Sequence, residues 1–435
     1  MRALLFALLL CRACEAETAV FKGFTLIGSA APQPNTAMIV TNGRIAWIGP
    51  SAQLKTPSGA AVQDLAARYV IPGLINLHGH VSIVNGLVQD PKRFYTREGV
   101  IRNLALYARF GITSVASLGT DQPLVYQIRK EQKDGLPHEA RIFTAGRGFT
   151  GKGGYPSVIP GMEGVPFEAA TPQAATAAVD ELATHHPDFI KIWVDDHLGK
   201  LPKIPIETST AIIQAAHQHG VKVVAHIFYL KDAKQLAAAG IDGFAHSVRD
   251  QPLDEELIRL MKQHGTWQMA ATLAREASMF AYVTPSKVLA DPLFAETVAP
   301  GVVAELKSPA YQQKIAADPE MAHYPEYLRM AQRNLKRLAD SGVRYGFGTD
   351  SGPPARFAGY FEHWEAQLMV EAGLTPAQVL EAATRSAAGF LGAKDLGSLE
   401  LGKWADFTVL RANPLTDIRN TRSIQQVYVA GNPIR

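Results

Sequence analysis

Cysteine is almost missing from this chain: 435 residues hold two, Cys11 and Cys14, both near the start. Around them Arg2 is followed by the apolar run Ala3–Leu10 and then by small residues up to Ala16. That run falls far short of the ~20 apolar residues a membrane-crossing helix needs, so no membrane-spanning segment is expected and residues 1–16 read as an export signal. Cleavage after Ala16 gives a periplasmic or secreted chain with no cysteine, which excludes disulfides, thiolate catalysis and cysteine-bound zinc together. Lipidation at Cys14 is left open, although Cys11-Arg12-Ala13 before it is a poor match to a lipidation signal. Long runs of one charge are absent too: 43 basic residues stand against 40 acidic ones, a formal charge of +3, so there is no nucleic-acid footprint. No low-complexity segment or short-period repeat is visible. No Gly-x-Ser-x-Gly turn presents a nucleophilic serine. The glycine-rich stretch from Gly146 to Pro156 lacks the strand-to-helix pattern of a phosphate loop and reads as a substrate loop. Histidine, carboxylate and modified lysine are then the ligands left for any metal.

What is there is a globular composition, 47% hydrophobic and 19% charged. The length suits a barrel of ~250 residues with a smaller companion domain. From Val20 to Ala66 the chain is strand-like, and Asn42-Gly43 between Ala37–Thr41 and Arg44–Gly49 marks a hairpin. Similar material returns at Ala405–Leu410 and Gln426–Ala430, so residues 17–68 and 394–435 are expected to build one small β-sandwich domain from both ends. Residues 69–393 alternate apolar strands with helical patterns, which predicts an α/β fold, a (β/α)8 TIM barrel. Its eight strands are expected at Val70–His78, Ile112–Ser117, Arg141–Ala145, Phe189–Val194, Lys222–Phe228, Gly243–Ser247, Thr266–Thr272 and Tyr345–Asp350. Helices are expected at Ala174–His185, Thr208–His219, Lys231–Ala239 and Glu255–His264, and Ala274–Val343 is long enough to carry an insertion at the barrel mouth.

Metal-capable side chains fall at the ends of these strands. His78 and His80 flank Gly79, and in an extended chain residues i and i+2 share a face. Lys191 interrupts the apolar strand Phe189–Val194; it is either paired with a barrel carboxylate or held neutral and chemically modified. His226 and His246 end the fifth and sixth strands, and Asp350 ends the eighth, where it also suits a turn before Ser351-Gly352. Each alone has an ordinary structural explanation. Together they converge on the C-terminal face of a barrel, where barrel active sites lie.

The stretch Val70-Ile-Pro-Gly-Leu-Ile-Asn-Leu-His-Gly-His80 resembles the amidohydrolase superfamily, as does Gly397-Ser-Leu-Glu-Leu-Gly-Lys-Trp-Ala-Asp-Phe-Thr-Val-Leu410. Gly348-Thr-Asp-Ser-Gly352 resembles its imidazolonepropionase-like and prolidase-like (Xaa-Pro dipeptidase-like) branches, and the likeness runs along the whole chain. The resemblance implies two divalent metal ions. His78, His80 and Asp350 would hold the more buried one, and His226 and His246 the second. Lys191, carboxylated at its amine by carbon dioxide, would bridge them.

Two such ions sharing a water lower its pKa toward neutrality and give hydroxide. Zinc suits the donor set, and manganese or cobalt can substitute. Asp350 is placed to act as general acid and base. Tyr229, three residues after His226, is a candidate oxyanion donor, and Arg147, Arg249, Arg275 and Tyr155 are candidate substrate contacts. Prolidase-like relatives often carry histidine near the position of Tyr155, so their substrates do not transfer directly. The expected reaction is hydrolysis of the C–N amide bond of a dipeptide or N-acyl amino acid, a small-molecule substrate. The alternatives are a one-metal deaminase or imidazolonepropionase-like cyclic amide hydrolase with unmodified Lys191, a lactonase or phosphotriesterase on the same core, and, weakest, a noncatalytic ligand-binding barrel. Homo-oligomerisation is left open.

Overall fold

The computed structural model describes residues 18–28 and 31–435; the expected export signal, with Cys11 and Cys14, lies outside the described residues. Both ends of the chain enter one eight-stranded sheet, ordered 432–433, 424–429, 407–410, 69–72, 18–26, 33–41, 44–50, with 61–64 added beside 18–26. The expected hairpin forms: Thr41 pairs with Arg44, and Asn42 and Gly43 take φ of 51° and 76°, the left-handed geometry that matches strand twist. Phe21 from the start packs edge-on against Phe407 and Tyr428 from the end, with ring centroids 5.0 Å apart in both pairs. Burying three rings together ties the two termini into one core.

Where a single strand is expected over Val70–His78, the chain makes two. Tyr69–Pro72 belongs to the terminal sheet, and Leu74–Gly79 to a parallel sheet with Ile112–Ser117 and Arg141–Thr144. The break falls at Gly73, where a Cβ would lie 2.1 Å from the Thr113 hydroxyl, so only glycine lets the chain pass between the sheets. The terminal sheet therefore takes in Tyr69–Pro72, beyond the boundary expected at 68/69.

The remaining parallel strands run 167–168, 149–150, 189–193, 222–226, 243–244 and 267–268 in spatial order. Asp188 N donates to Thr144 O at 2.8 Å, joining the two parallel sets. The segment 345–351 is held by isolated parallel bridges, Tyr345 to Gln268 and Ser351 to Gly79, rather than forming the continuous eighth strand expected. Leu77 N also donates to Phe347 O at 2.8 Å. The result is a TIM-barrel-like α/β arrangement with its strand ends at one mouth.

Alternation along Phe189–Trp193 explains why Lys191 sits inside. Ile190 and Ile192 pack outward on Ile212, Ile213 and Leu236, while Phe189 packs inward with Leu77, Val224 and Met269. Lys191 shares the inward side. Helix Glu255–His264 has the expected bounds because Asp254 caps it, accepting from Leu257 N at 3.0 Å, and Gly265 ends it at φ 70°. The expected insertion supplies five helices between Leu273 and Asp340, and two of them, Leu273–Ala281 and Pro309–Ala316, line the mouth. Among the described residues no helix is long and apolar enough to cross a membrane.

Candidate metal centre

Strand Leu74–Gly79 carries a bulge: from Asn76 to Gly79 it advances three residues while its neighbour advances two, from Val115 to Ser117. Bulges re-aim side chains, and beyond this one both imidazoles turn to the same carboxylate oxygen. Asp350 Oδ1 lies 3.4 Å from His78 Nε2 and 3.0 Å from His80 Nε2. Asp350 itself has φ 57°, a left-handed geometry that aspartate tolerates better than most, and its amide donates to His78 O at 2.7 Å. One donor atom each from His78, His246 and Asp350 lie within 4.8 Å of one another. The His226 and His246 rings meet at 4.2 Å, and His78 and His246 at 4.8 Å.

Each imidazole has a nitrogen tied to an oxygen away from Asp350, and His80 has its other nitrogen on Asp350 as well. His78 Nδ1 donates to Ala245 O at 2.9 Å. His246 Nδ1 lies 2.7 Å from the Thr272 hydroxyl, which already donates to Ala271 O and so accepts from the ring. His80 Nδ1 lies 2.9 Å from the Thr120 hydroxyl. His226 reverses the pattern: its Nε2 donates to Asp195 Oδ2 at 2.6 Å. Metal-ligating histidines commonly fix their second nitrogen in this way. The lone pairs left facing inward are Nε2 of His78 and His246 and Nδ1 of His226. Burial holds His78 and His246 well below the usual imidazole range, with Lys191 contributing to both; burial draws His226 to about 4 against the pull of Asp195. Neutral rings are the form that binds metal.

Lys191 is fully buried, and among the described residues its amine has no hydrogen-bond partner. Burial draws its pKa down to about 7, partly opposed by Asp350. Burial raises the Asp350 carboxyl, but Arg356, His78 and His80 outweigh it and leave the group well below the carboxylate range. This donor set fits a divalent metal: neutral imidazoles, an ionised carboxylate, and a buried amine with nothing to bind.

A cleft of about 380 Å³ opens over these residues, lined among others by His78, His80, Tyr155, His226, His246, Arg275, Asp350 and Arg356. Tyr155 lies with its ring 5.4 Å from that of His226. The other substrate candidates depart from expectation. Tyr229 does not line the cleft; its hydroxyl donates to Asp196 at 2.9 Å and Lys203 sits over its ring, so it is engaged elsewhere. Arg147 braces a loop, donating from Nε to Val165 O at 2.8 Å and stacking on Phe167. Arg249 is fully buried between Glu276 (2.9 Å) and Ile227 O (3.0 Å) and is also absent from the lining. Loop residues next to a strand end can point either way, and spacing alone does not say which. Four residues around the centre escape sequence reasoning: Thr120, Thr272, Asp195 and Arg356. Asp195 directly follows the Lys191 strand, a signal of the same kind as the strand-end histidines.

The chain matches the amidohydrolase family over residues 69–434. It is 24% identical over 426 residues to an imidazolonepropionase of Deinococcus radiodurans, covering 91% of each chain. It is also 24% identical over 455 residues to an ochratoxinase of Aspergillus niger, covering 95% of this chain and 86% of that one. Among solved structures it is similar to a Xaa-Pro dipeptidase with methionine bound in its active site, with a TM-score of 0.73 at 22% identity over 96% of this chain and 99% of that one. The chain belongs to the amidohydrolase family, and its buried His/His/Asp cluster fits a metal-dependent hydrolase acting on C–N bonds.

Proposed function

We propose that this enzyme is a binuclear amide hydrolase acting on a dipeptide or N-acyl amino acid, built on a closed (β/α)8 barrel flanked by a β-sandwich from both chain ends. The observation that carries the reading is the orphaned amine of Lys191 in the midst of four oriented imidazoles. His78, His80 and Asp350 would hold one divalent ion, zinc by preference, and His226 and His246 the other. Neutral Lys191 amine adds to carbon dioxide, forming an N–C bond and releasing one proton, to give a carbamate between the two sites. When bound, the ions acidify the attacking water and polarise the scissile carbonyl.

The chain's own groups do the rest. Asp350 takes the water's proton and delivers it to the leaving nitrogen. Thr272, Asp195, Thr120 and Ala245 O hold the imidazoles in register. With Tyr229 engaged by Asp196, Tyr155, whose ring lies 5.4 Å from that of His226, is the cleft hydroxyl nominated for the substrate. The reading is tested by the metal content per chain of protein purified without chelator, where about two ions are expected. Lys191→Ala should lose metal and activity together and regain part of both with short carboxylic acids. A variant that keeps two tightly held ions would remove the carbamate.

The closeness of His78, His246 and Asp350 favours one second reading. A single ion on that trio would serve a deaminase or cyclic amide hydrolase with Lys191 unmodified, and one ion per chain would select it. Export remains part of the proposal for residues 1–16; N-terminal sequencing of the mature protein tests it.

A further inference from the structure

Asn76, Thr349, Ser351 and Glu362 form a fully buried polar cluster beside Asp350, and none of them lines the cleft. Its centre is Glu362, in the first turn of helix Tyr360–Glu371. Oε1 accepts from Asn76 Nδ2 at 2.8 Å, from the Thr349 hydroxyl at 2.8 Å and from the Ser351 hydroxyl at 2.7 Å. Oε2 accepts from the Gly359 amide at 2.6 Å, at the start of the same helix. All four donors are neutral. Burial pushes the carboxyl up, hydrogen bonds from Ser351 and Thr349 pull against it, and a helix start favours negative charge. Thr349 and Ser351 flank Asp350 in the chain, so hydroxyls from either side of it end on one oxygen. That pinch spans the residue whose φ is 57°. Asn76 closes the ring, because its Oδ1 accepts from His78 N at 2.9 Å and from Thr349 N at 3.3 Å. Backbone amides only donate, which fixes this side chain with Nδ2 toward Glu362.

We propose that Glu362 is a positioning residue of the metal centre: through Asn76, Thr349 and Ser351 it fixes the spacing of His78 and Asp350, and so sets how tightly that pair holds its ion. The inference rests on the reading of His78 and Asp350 as ligands of one ion. A carboxyl suits this task and an amide does not. Asn76 Nδ2 on one side and Gly359 N on the other can only donate, so a glutamine sets N–H against N–H on one side in either orientation. The helix start or the strand ends must then shift, and ligand geometry tolerates little drift. Among the described residues Glu362 has no hydrogen bond to the strands of His226 and His246, so the second ion lies outside its reach. Asp195 holds the corresponding place for that ion, behind His226.

The test uses the full chain loaded with zinc and follows removal of each ion by a chromophoric chelator, with thermal unfolding of the metal-free chain beside it. Glu362→Gln should weaken one ion by about 10- to 100-fold, the scale of losing a partner behind a ligand, and leave the other within about twofold. Asp195→Asn should weaken the other ion, so in the double variant both loosen and the two losses add. Ser351→Ala removes one donor to Oε1 without setting donor against donor. It should loosen the same ion as Glu362→Gln by about 2- to 10-fold, the weight of one hydrogen bond, and it carries the test if Glu362→Gln does not fold. A purely structural Glu362 would lower the unfolding temperature of the metal-free chain and loosen both ions alike. That result, unchanged affinities, or loss of the same ion as in Asp195→Asn would each overturn the proposal. A wild type with a single ion would remove the binuclear reading, and would keep the proposal only if Glu362→Gln loosens that ion and Asp195→Asn does not. A wild type that holds no ion would remove both.

Discussion

The floor and the rim of the cleft are built on different terms. On the floor His78, His80, His226 and His246 are buried, and each has a short contact to a backbone or side-chain oxygen on a neighbouring segment. On the rim Tyr311 and Ile315 come from an inserted helix and Asp318 and Met321 from the turn after it; all four are part-exposed, and Lys314 is exposed. A donor held by two neighbours cannot drift far, so the floor sets which chemistry is possible. A side chain carried on an insertion can change without disturbing the sheet, so the rim selects what undergoes that chemistry.

The sharpest way to break this contrast is at the floor. Asp350→Asn should lower turnover of metal-replete enzyme by about 10²–10⁴-fold, the range of a lost general acid–base group; near-normal kcat would remove its role. One step out, Asp195→Asn should weaken the second metal by about 10–100-fold, as loss of a carboxylate behind a ligating histidine does. Competition with a chelator reads this directly, and unchanged affinity would mean that His226 needs no orienting partner. Away from the floor, Tyr229→Phe should change kcat/KM by less than about threefold, while Arg147→Ala should cost about 1–2 kcal/mol of stability with its kinetics intact. A large kinetic defect in either would return that residue to the site.

The smallest effect concerns a carboxyl behind the rim. Glu365 accepts from the Leu273 and Ala274 amides and braces Thr272, whose φ of 55° is costly for a β-branched residue. Burial pushes the Glu365 carboxyl up to about 8, with Glu362 and Glu276 adding to the rise. The unfolded chain releases this proton near the ordinary glutamate value, so between there and about pH 8 the folded state binds more protons. Stability should fall as pH rises through that window and level off above it. Glu365→Gln should flatten the fall by a few degrees in Tm between pH 6 and pH 8.5; an unchanged slope would show that another group carries it.

The same contrast decides what could be read from the sequence. His78, His80, Lys191, His226, His246 and Asp350 were legible because each is a polar exception at or in an apolar strand, and strand ends share one face of a barrel. The partners that orient them were not. Thr120 and Thr272 look like any strand-end threonine until the ring beside them is placed. Tyr229, Arg147 and Arg249 follow strands just as Arg275 does, yet only Arg275 of these four reaches the cleft. The rim depends on loop direction, which no local pattern encodes. The split at Gly73 was hidden for a related reason: two strands in series read as one apolar run, and only the crowding of Thr113 shows where they part.

The ring cluster of Phe21, Phe407 and Tyr428 has a consequence for how the molecule is made. Strand 69–72 gains its neighbour 407–410 only after more than 330 intervening residues have been synthesised. Until then one edge of 69–72 stays open and Phe21 lacks its two ring partners, the state in which nascent strands pair with the wrong partner. Long-range closure of this kind is slow. A chain halted before residue 407 would carry a formed set of ligand-bearing strands beside an unfinished, adhesive sheet, so the quality of the product is decided by strands 407–410 and 424–429, far from any atom that does chemistry.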